Sequence, residues 1–335
     1  MTDHRSLSLS ETAERLLKTE DPLILIHTKP DGDCYGSAAA LSQIFTLLGK
    51  ASAILSPEPI PERLAFITAL SDAKPYEEGK SYTPIAIDVA SPSQLGSLEG
   101  CFSPALQIDH HARGIRFADF YLDADAAAAG EIVFEIVKIL LKQGNISEIP
   151  PRLASAIYTA ISSDTGCFRQ ANTTAKTHTA AAELITLGAD FAAINHALFE
   201  TKSPRQMRAE ATVMANIRLH KDGKVASFTT RKKDRERDGL LTEDFETSID
   251  IVRAVKGVEV AVVVKEADTK ENLYKISFRS TGADVSRVAA HFGGGGHIRA
   301  AGCTVEAENA EKALAAVLER LYPKTTSEPP ERTEN

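Results

Sequence analysis

Residues 24–41 read ILIHTKPDGDCYGSAAAL, and this stretch decides how the first part of the chain folds. Its apolar start belongs to the run PLILIH, which is typical of a strand buried on both faces of a parallel sheet. A glycine-containing loop with His27, Asp31 and Asp33 comes next, and the residues from there to Gly49 predict a helix. A strand, a loop and a helix in this order indicate one βα unit of an α/β domain.

The rest of the chain continues this alternation. ASAIL, PIAID and PALQID predict further strands, and PERLAFITAL and GEIVFEIVKILLKQG predict helices. We therefore expect residues 1–191 to form a parallel sheet with helices on both faces. Residues 192–220 are predicted to be a helical connection, and a second alternation predicts a smaller α/β domain over residues 221–323. The polar, proline-containing tail 324–335 is predicted to be disordered.

Composition narrows the class of protein. The chain has 335 residues, of which 43% are hydrophobic and 25% charged, and its formal net charge is −8. No run is apolar enough to span a bilayer and no signal peptide is recognisable, so we expect a cytoplasmic protein without a membrane partner. Its cysteines are scattered without a CxxC pair, which favours reduced thiols. The acidic balance argues against long duplex nucleic acid as a partner.

Acidic residues follow several of the predicted elements. Asp88 ends the third predicted strand, Asp109, His110 and His111 end the fourth, and Asp164 follows a helix. Ligands of open α/β sheets bind beyond the carboxyl ends of the strands, so at least three of these loops should converge there. Aspartate with histidine suits a divalent ion such as Mn²⁺, and this many ligands fits a pair of ions about 4 Å apart.

Each motif has a second interpretation when it is taken alone. PDGD is a common turn sequence, DHH is compatible with a helix cap and two solvated histidines, and Asp164 is compatible with a helix end. The downstream run GGGG is compatible with a flexible turn between a helix and a strand. The coincidence of several such motifs, each at the end of an apolar element, favours a metal site.

These motifs together resemble a known family. HTKPDGDCYGS, IDV, DHH and SDTGCF, followed downstream by FRS and GGGGHIRAAG, occur in the order found in DHH–DHHA1 phosphoesterases. Within that family the chain is most similar to the branch of bifunctional oligoribonucleases and 3′,5′-bisphosphate (pAp) phosphatases. The resemblance implies an N-terminal DHH domain that binds two divalent metal ions, Mn²⁺ first among them, and a C-terminal DHHA1 domain that binds substrate.

The resemblance also implies metal ligands and catalytic residues. The first ion would be held by His27, Asp31 and Asp88, and the second by Asp33, Asp88, His110 and Asp164. Asp88 would bridge the two ions, Asp109 would orient His110, and His111 would contact the scissile phosphate. Asp88, Asp109 and His111 form the catalytic set that it implies.

In the second domain the resemblance implies a site for the far end of the substrate. Its residues would be Arg279, Ser280, Gly294, Gly295, Gly296 and His297. Physical chemistry supports this site independently, because a glycine run lets backbone N–H groups approach an anion closely. The guanidinium of Arg279 would add a bidentate phosphate clamp.

The expected activity is hydrolysis of very short single-stranded RNA to mononucleotides and dephosphorylation of adenosine 3′,5′-bisphosphate, with a metal-bridging hydroxide attacking phosphorus. The alternatives are a manganese pyrophosphatase, a cyclic-dinucleotide phosphodiesterase or single-strand exonuclease of the same superfamily, and a non-enzymatic nucleotide-binding module. Two departures from the family pattern stand out. Cys34-Tyr35 replaces the usual Ala-Ile, which changes packing unless Cys34 reaches the metal, and Arg113 stands where an Asn is common.

Overall fold

The computed structural model describes residues 4–321, so the predicted tail 324–335 lies outside the described residues. The chain divides into two compact units, Met1–Thr201 and Lys202–Asn335. The division falls within the segment 192–220 that the sequence predicts to be a connection. None of the described helices is both long and apolar enough to cross a membrane.

The first unit contains a five-stranded sheet in the order β2-β1-β3-β4-β5 with all neighbouring strands parallel. Its strands are β1 (Pro22–Leu25), β2 (Ala53–Leu55), β3 (Thr83–Ile87), β4 (Leu106–Asp109) and β5 (Phe120–Leu122). Its helices are α1 (Leu9–Lys18), α2 (Gly32–Leu47), α3 (Ala129–Lys142), α4 (Pro151–Asp164), α5 (Ala175–Thr186) and α6 (Phe191–Asn195). Two 3₁₀ segments, Glu62–Leu70 and Pro92–Leu98, and a π-helical segment, His196–Glu200, complete it.

Alternating apolar residues of β1 bury both faces of this sheet. Ile24 packs into the larger core with α2, α3 and α4, whereas Leu23 and Leu25 pack into a smaller core on the other face with Leu95 of the second 3₁₀ segment. The continuous apolar run in the sequence is therefore explained, since both faces need apolar side chains. The predicted α/β class with a parallel sheet is confirmed.

Glycines allow three helices to approach one another closely. A Cβ on Gly36 of α2 would lie 3.0 Å from the backbone oxygen of Ala156 in α4, and a Cβ on Gly32 would collide with the Ser163 side chain. A Cβ on Gly130 of α3 would likewise collide with a side chain of α4. The start of α2, the start of α3 and the end of α4 therefore meet at one place.

The second unit contains a mixed six-stranded sheet in the order β10-β11-β9-β8-β7-β6. Its strands are β6 (Arg218–His220), β7 (Val225–Thr230), β8 (Val260–Glu266), β9 (Leu273–Ser280), β10 (Gly295–His297) and β11 (Ala300–Glu306). Its helices are α7 (Pro204–Ala215), α8 (Lys232–Arg237), α9 (Ser248–Arg253), α10 (Val285–His291) and α11 (Ala310–Leu321), with a 3₁₀ turn at Thr242–Phe245. One face packs on α10 and α11 and the other on α7 and α9, as predicted for a smaller α/β domain.

Candidate metal centre

The predicted ligands of the first unit converge at the carboxyl edge of its sheet. His27 lies just after β1, Asp88 directly after β3, and Asp109 at the end of β4. Among residues 4–321, three groups of donor atoms are close enough together to hold an ion, and two of these groups have no residue in common. We call His27, Asp31, Cys34 and Asp88 the first cluster, and Asp33, His110 and Asp164 the second cluster. Asp88 also forms a group with His110 and His111, so it contacts both clusters.

The first cluster is built around the imidazole of His27. Its Nδ1–H donates to the Thr28 carbonyl at 2.7 Å, which leaves Nε2 as the nitrogen that faces the carboxylates. This Nε2 lies 3.6 Å from Asp88 Oδ2 and 3.9 Å from Asp31 Oδ1. Asp31 is also the N-cap of α2, where Oδ1 accepts the N–H groups of Asp33 and Cys34.

The second cluster is built around His110 in the same way. Its Nδ1–H donates to the carbonyl of Ala126 at 3.2 Å, and its Nε2 faces carboxylates. The Nε2 atom lies 3.4 Å from Asp88 Oδ1, 3.7 Å from Asp33 Oδ2 and 3.8 Å from Asp164 Oδ2. Both imidazoles therefore present the same nitrogen to the carboxylates, with the tautomer set by a backbone carbonyl.

Asp33 is held in place by the packing of the three helices. Its carboxylate accepts the N–H groups of Ala129 at 2.7 Å and Gly130 at 3.1 Å, and the hydroxyl of Ser37 donates to it at 3.0 Å. The backbone donors come from the first turn of α3, where the unpaired N–H groups of a helix favour negative charge. Asp33 is thus oriented without needing to reach solvent.

Asp88 has the features of a ligand that both clusters share. Its backbone φ of 56° lies in the left-handed region, which is uncommon for a residue other than glycine, and Asp tolerates it better than most. The residue is 2% exposed, and within residues 4–321 its Oδ1 has no hydrogen-bond partner. A buried carboxylate oxygen without a donor is costly unless a cation satisfies it.

The spacing of the donor atoms fits divalent cations. Two ligand atoms bound to one ion at about 2.0–2.2 Å stand roughly 3.0–3.5 Å apart. The separations around His27 and His110 run from 3.4 to 3.9 Å, which is longer than a good hydrogen bond and extends up to about 0.4 Å beyond that spacing. A contraction of about 0.4 Å would bring each cluster onto an ion.

Protons take the place of cations when no ion is bound. Burial lowers the pKa of His27, but the nearby carboxylates of Asp88 and Asp31 outweigh burial and raise it to about 9. Burial opposes the charge of His110 too, yet the surrounding carboxylates, with Asp88 first among them, raise its pKa to about 10. Burial and the charge of Asp88 raise the pKa of Asp164 to about 6. The site therefore attracts positive charge strongly.

Asp109 lies directly beside the two clusters and contacts both histidines that follow it. Its Oδ1 accepts the backbone N–H of His110 at 2.9 Å and Nδ1–H of His111 at 2.8 Å, whereas Nδ1–H of the His110 ring donates to the carbonyl of Ala126. The side-chain hydrogen bond of Asp109 therefore goes to the ring of His111 and not to that of His110, and its contact with His110 is made through the backbone. The Asp109 hydrogen bond raises the pKa of His111. Arg116 holds the other carboxylate oxygen at 2.8 Å and donates to the His111 carbonyl at 3.0 Å.

In the second unit, two of the predicted substrate residues share one face of the sheet. His297 of β10 pairs with Ala300 of β11, and Ala300 pairs with Arg279 of β9. Residues paired across strands point to the same side, so His297 and Arg279 flank Ala300 about 10 Å apart. Their side chains are exposed and half-buried respectively. Ser280 follows Arg279 and so points to the opposite face, where its hydroxyl accepts the N–H groups of the next turn.

The glycine run has a packing role that the sequence does not reveal. A Cβ on Gly294 would collide with the backbone of β11, and a Cβ on Gly296 would do so at a φ of 135°. Gly295 has open space where its Cβ would lie. The run is thus part of a hairpin with β11, and Gly295 is the predicted substrate glycine whose backbone stays accessible on the Arg279 face.

Comparisons with known proteins agree with this architecture. Residues 22–161 match the model of the DHH family N-terminal domain, and residues 211–322 match the model of the DHHA1 domain. The chain belongs to the DHH–DHHA1 family. The convergent ligands lie in or just after the DHH match, and Arg279, Ser280 and the glycine run lie in the DHHA1 match.

Similar proteins span nearly the whole DHH–DHHA1 chain. A bifunctional oligoribonuclease and PAP phosphatase NrnA of Thermus thermophilus is 29% identical over 324 residues, which cover 94% of this chain and 93% of that protein. The protein of the same name from Bacillus subtilis is 26% identical and covers 92% and 96%. The crystal structure of an exopolyphosphatase-related protein from Bacteroides fragilis superposes with a TM-score of 0.83 at 22% identity over 93% and 95% of the chains. That likeness shows the shared fold.

Arg116 contacts the predicted site residues, and the sequence does not reveal it as their partner. It lies in a loop without periodicity, and its partner Asp109 already had an assigned role as a neighbour of His110. The signal that could have found it is chemical: a buried carboxylate beside two histidines needs a cation or a donor on its outer oxygen.

Proposed function

We infer that the chain is a hydrolase of phosphoric ester bonds that cleaves very short RNA oligonucleotides to mononucleotides and dephosphorylates adenosine 3′,5′-bisphosphate. The observation that carries this proposal is Asp88, a buried carboxylate in contact with two adjacent donor clusters. Such an arrangement suits a pair of cations, as phosphoryl-transfer sites require. The names of the relatives from Thermus thermophilus and Bacillus subtilis supply the substrate class.

The proposed cofactor is a pair of Mn²⁺ ions. His27, Asp31 and Asp88 would hold one, and Asp33, Asp88, His110 and Asp164 the other. Carboxylate oxygens with a minority of imidazole nitrogens are a donor set that suits Mn²⁺. When bound, such a pair lowers the pKa of water and stabilises charge on the phosphate oxygens.

The chain's own residues supply orientation around the phosphate. The bond from His111 Nδ1–H to Asp109 makes Nε2 its outward nitrogen, and Arg116 fixes that carboxylate in turn. His111 would contact the scissile phosphate through Nε2, with Asp109 and Arg116 limiting the rotation of its ring. A histidine held in one rotamer avoids the entropy cost of ordering it in each turnover.

Recognition of the far end of the substrate is assigned to the DHHA1 domain. Arg279 and His297 lie on one face with small residues between them, which leaves room for an anionic group to approach the backbone of Gly295. A substrate that is anchored by terminal phosphates does not need a long basic groove, which agrees with the net charge of −8.

A substrate panel tests the proposal. The chelated protein is reloaded with Mn²⁺ and incubated with adenosine 3′,5′-bisphosphate, di- to pentanucleotides, pyrophosphate and a cyclic dinucleotide. We expect turnover of the bisphosphate and of the short RNAs. Turnover of pyrophosphate alone, or of the cyclic dinucleotide alone, would replace the substrate assignment, and no turnover of any compound would contradict the enzymatic function.

A further inference from the structure

Asn172 contacts the second cluster, although the proposed function gives this residue no task. Its side-chain NH₂ group donates to the carbonyl of Ala127 at 2.9 Å, to the backbone carbonyl of Asp164 at 3.2 Å and to Asp164 Oδ2 at 3.4 Å. Three oxygen acceptors around one terminal atom require that atom to be the amide nitrogen and not the amide oxygen. The amide therefore connects the end of α4 with the residues that precede α3.

The backbone makes a strained turn to bring Asn172 back to Asp164. Gly166, Cys167 and Phe168 have φ values of 55°, 60° and 61°, so three consecutive residues lie in the left-handed region that is uncommon for residues other than glycine. Backbone of this kind persists where its surroundings hold it, and it occurs mostly at functional sites. The turn returns the chain to Asp164 eight residues later, where the Asn172 amide meets it.

The start of α3 and the residues just before it support the other two ligands of the second cluster. This backbone accepts Nδ1–H of His110 at Ala126 and donates two N–H groups to Asp33. The Asn172 amide bonds to Ala127, which lies between these contacts and is 1% exposed. Asn172 therefore reaches all three ligands of the second cluster, one directly and two through this backbone.

The first cluster is held by different contacts. His27 bonds to the neighbouring Thr28, and Asp31 accepts backbone N–H groups from the first turn of α2. In the described part of the chain, none of the side-chain hydrogen bonds of Asn172 reaches these groups. Loss of the amide should therefore affect one ion and spare the other.

We propose that Asn172 is a positioning residue for the ion of the second cluster and takes no part in holding the ion of the first. The proposal rests on the two-ion site of the proposed function. The Asp164 side chain is 32% exposed, against 1% for Asp33, so packing alone restrains Asp164 less. A carboxylate oxygen can accept an amide hydrogen and bind a cation at once, so the amide fixes the direction in which Asp164 Oδ2 faces the ion.

Manganese titration of the full chain tests this assignment. Asn172→Ala is combined with Asp31→Asn, which leaves the second site to be measured alone, and with Asp164→Asn, which leaves the first. The chelated proteins are titrated with Mn²⁺, and the free ion is followed by electron paramagnetic resonance. We expect the affinity of the second site to fall about 10–100-fold, as on loss of a group that supports a ligand, and that of the first to change less than ~3-fold.

Asn195→Ala is the matched control. Asn195 is also half-buried and also bonds to α4 through its side chain, accepting from Ser162 and donating to Tyr158, and these bonds reach neither cluster. Both variants should lower the Tm of the chelated protein, but Asn195→Ala should change each Mn²⁺ affinity less than ~3-fold. Equal losses of metal affinity in the two variants would show a merely structural role and overturn the proposal.

The outcomes separate this proposal from the proposed function, because the titration uses no substrate. A wild type that binds two ions, with the second site at full strength in Asn172→Ala, overturns the role of Asn172 alone. A wild type that binds fewer than two ions overturns the two-ion site as well. A crystal structure of the Mn²⁺-loaded wild type needs no variant to fold: Asn172 Nδ2 should lie within about 3.2 Å of the Asp164 carboxylate, and an amide turned away from it overturns the proposal.

Discussion

Replacement of Asp88 by asparagine tests whether this residue is a ligand of both metal ions, whereas Asp31 and Asp164 are each a ligand of one. Asn keeps the size of the side chain and tolerates the φ of 56° nearly as well as Asp, so the backbone after β3 should be preserved. What changes is the charge, and with it one of the two oxygen donors. An Asp31→Asn variant makes the same chemical change within the first cluster, and Asp164→Asn makes it within the second.

The expected magnitude follows from the position of the two oxygens. Asp88 Oδ2 lies 3.6 Å from His27 Nε2, and Oδ1 lies 3.4 Å from His110 Nε2, so the charge serves both clusters. Loss of a group that merely supports a ligand costs about 10–100-fold in metal affinity. Loss of a charged ligand should cost at least the upper end of that range for each ion, about 2.7 kcal/mol per ion.

Calorimetric titration of the chelated proteins with Mn²⁺, with elemental analysis after dialysis, measures this difference. Wild type should bind two ions, Asp31→Asn and Asp164→Asn should each keep one with near wild-type affinity, and Asp88→Asn should keep neither. Retention of one full-strength site in Asp88→Asn would show that Asp88 serves a single ion. The reasoning from shared contacts would then be wrong.

Three other perturbations probe the surroundings. Arg116→Met should lower kcat about 10–100-fold with both metal ions retained, because the contacts of Arg116 restrain the ring of His111. Steady-state kinetics combined with metal analysis measures this, and loss of metal from the variant would contradict it. His297→Ala should raise KM for the bisphosphate about 10-fold and change kcat less than ~3-fold, which initial-rate measurements decide. The raised pKa values of His27, about 9, and His110, about 10, against an ordinary 6.5 stabilise the chelated protein fully below pH 6.5, and this contribution disappears as pH rises through 9 to 10. Thermal unfolding should therefore show a lower Tm at pH 10 than at pH 7.5 after chelation; an unchanged Tm would contradict the pairing.

Long apolar elements of the fold could be predicted because their periodicity is a strong signal. PLILIH and PIAID each contribute side chains to two cores, and PALQID contributes Leu106 and Ile108 to the larger core, so these strands could be recognised. The capping box of Ser8 and Glu11 was also recognisable, since both reciprocal hydrogen bonds are local. Strand β5 was missed because it has three residues between acidic turns, and its pairing with β4 is a tertiary effect.

The site shows a similar division between local and tertiary information. The candidate ligands were identified because each follows an apolar element, and the edge at which parallel strands end is dictated by topology. The partner of each histidine was not accessible in this way. Asp109, His110 and His111 are adjacent, and which ring faces which carboxylate depends on a loop whose Arg116 and Ala126 lie further along the chain.

The glycines of DGDCYG have a local meaning in the sequence and a different, tertiary role in the structure. In the sequence they indicate a turn, yet Gly32 and Gly36 lie within α2 and allow it to approach α4. That approach brings Asp33 at the start of one helix against Asp164 at the end of the other, while Gly130 admits the N-terminus of α3 that donates to Asp33. The carboxylates are consequently held by helices packed in the main core, and not by the flexibility of a loop. Because a packed core resists small displacements, the donor atoms can stay close together despite their mutual repulsion until a cation offsets it.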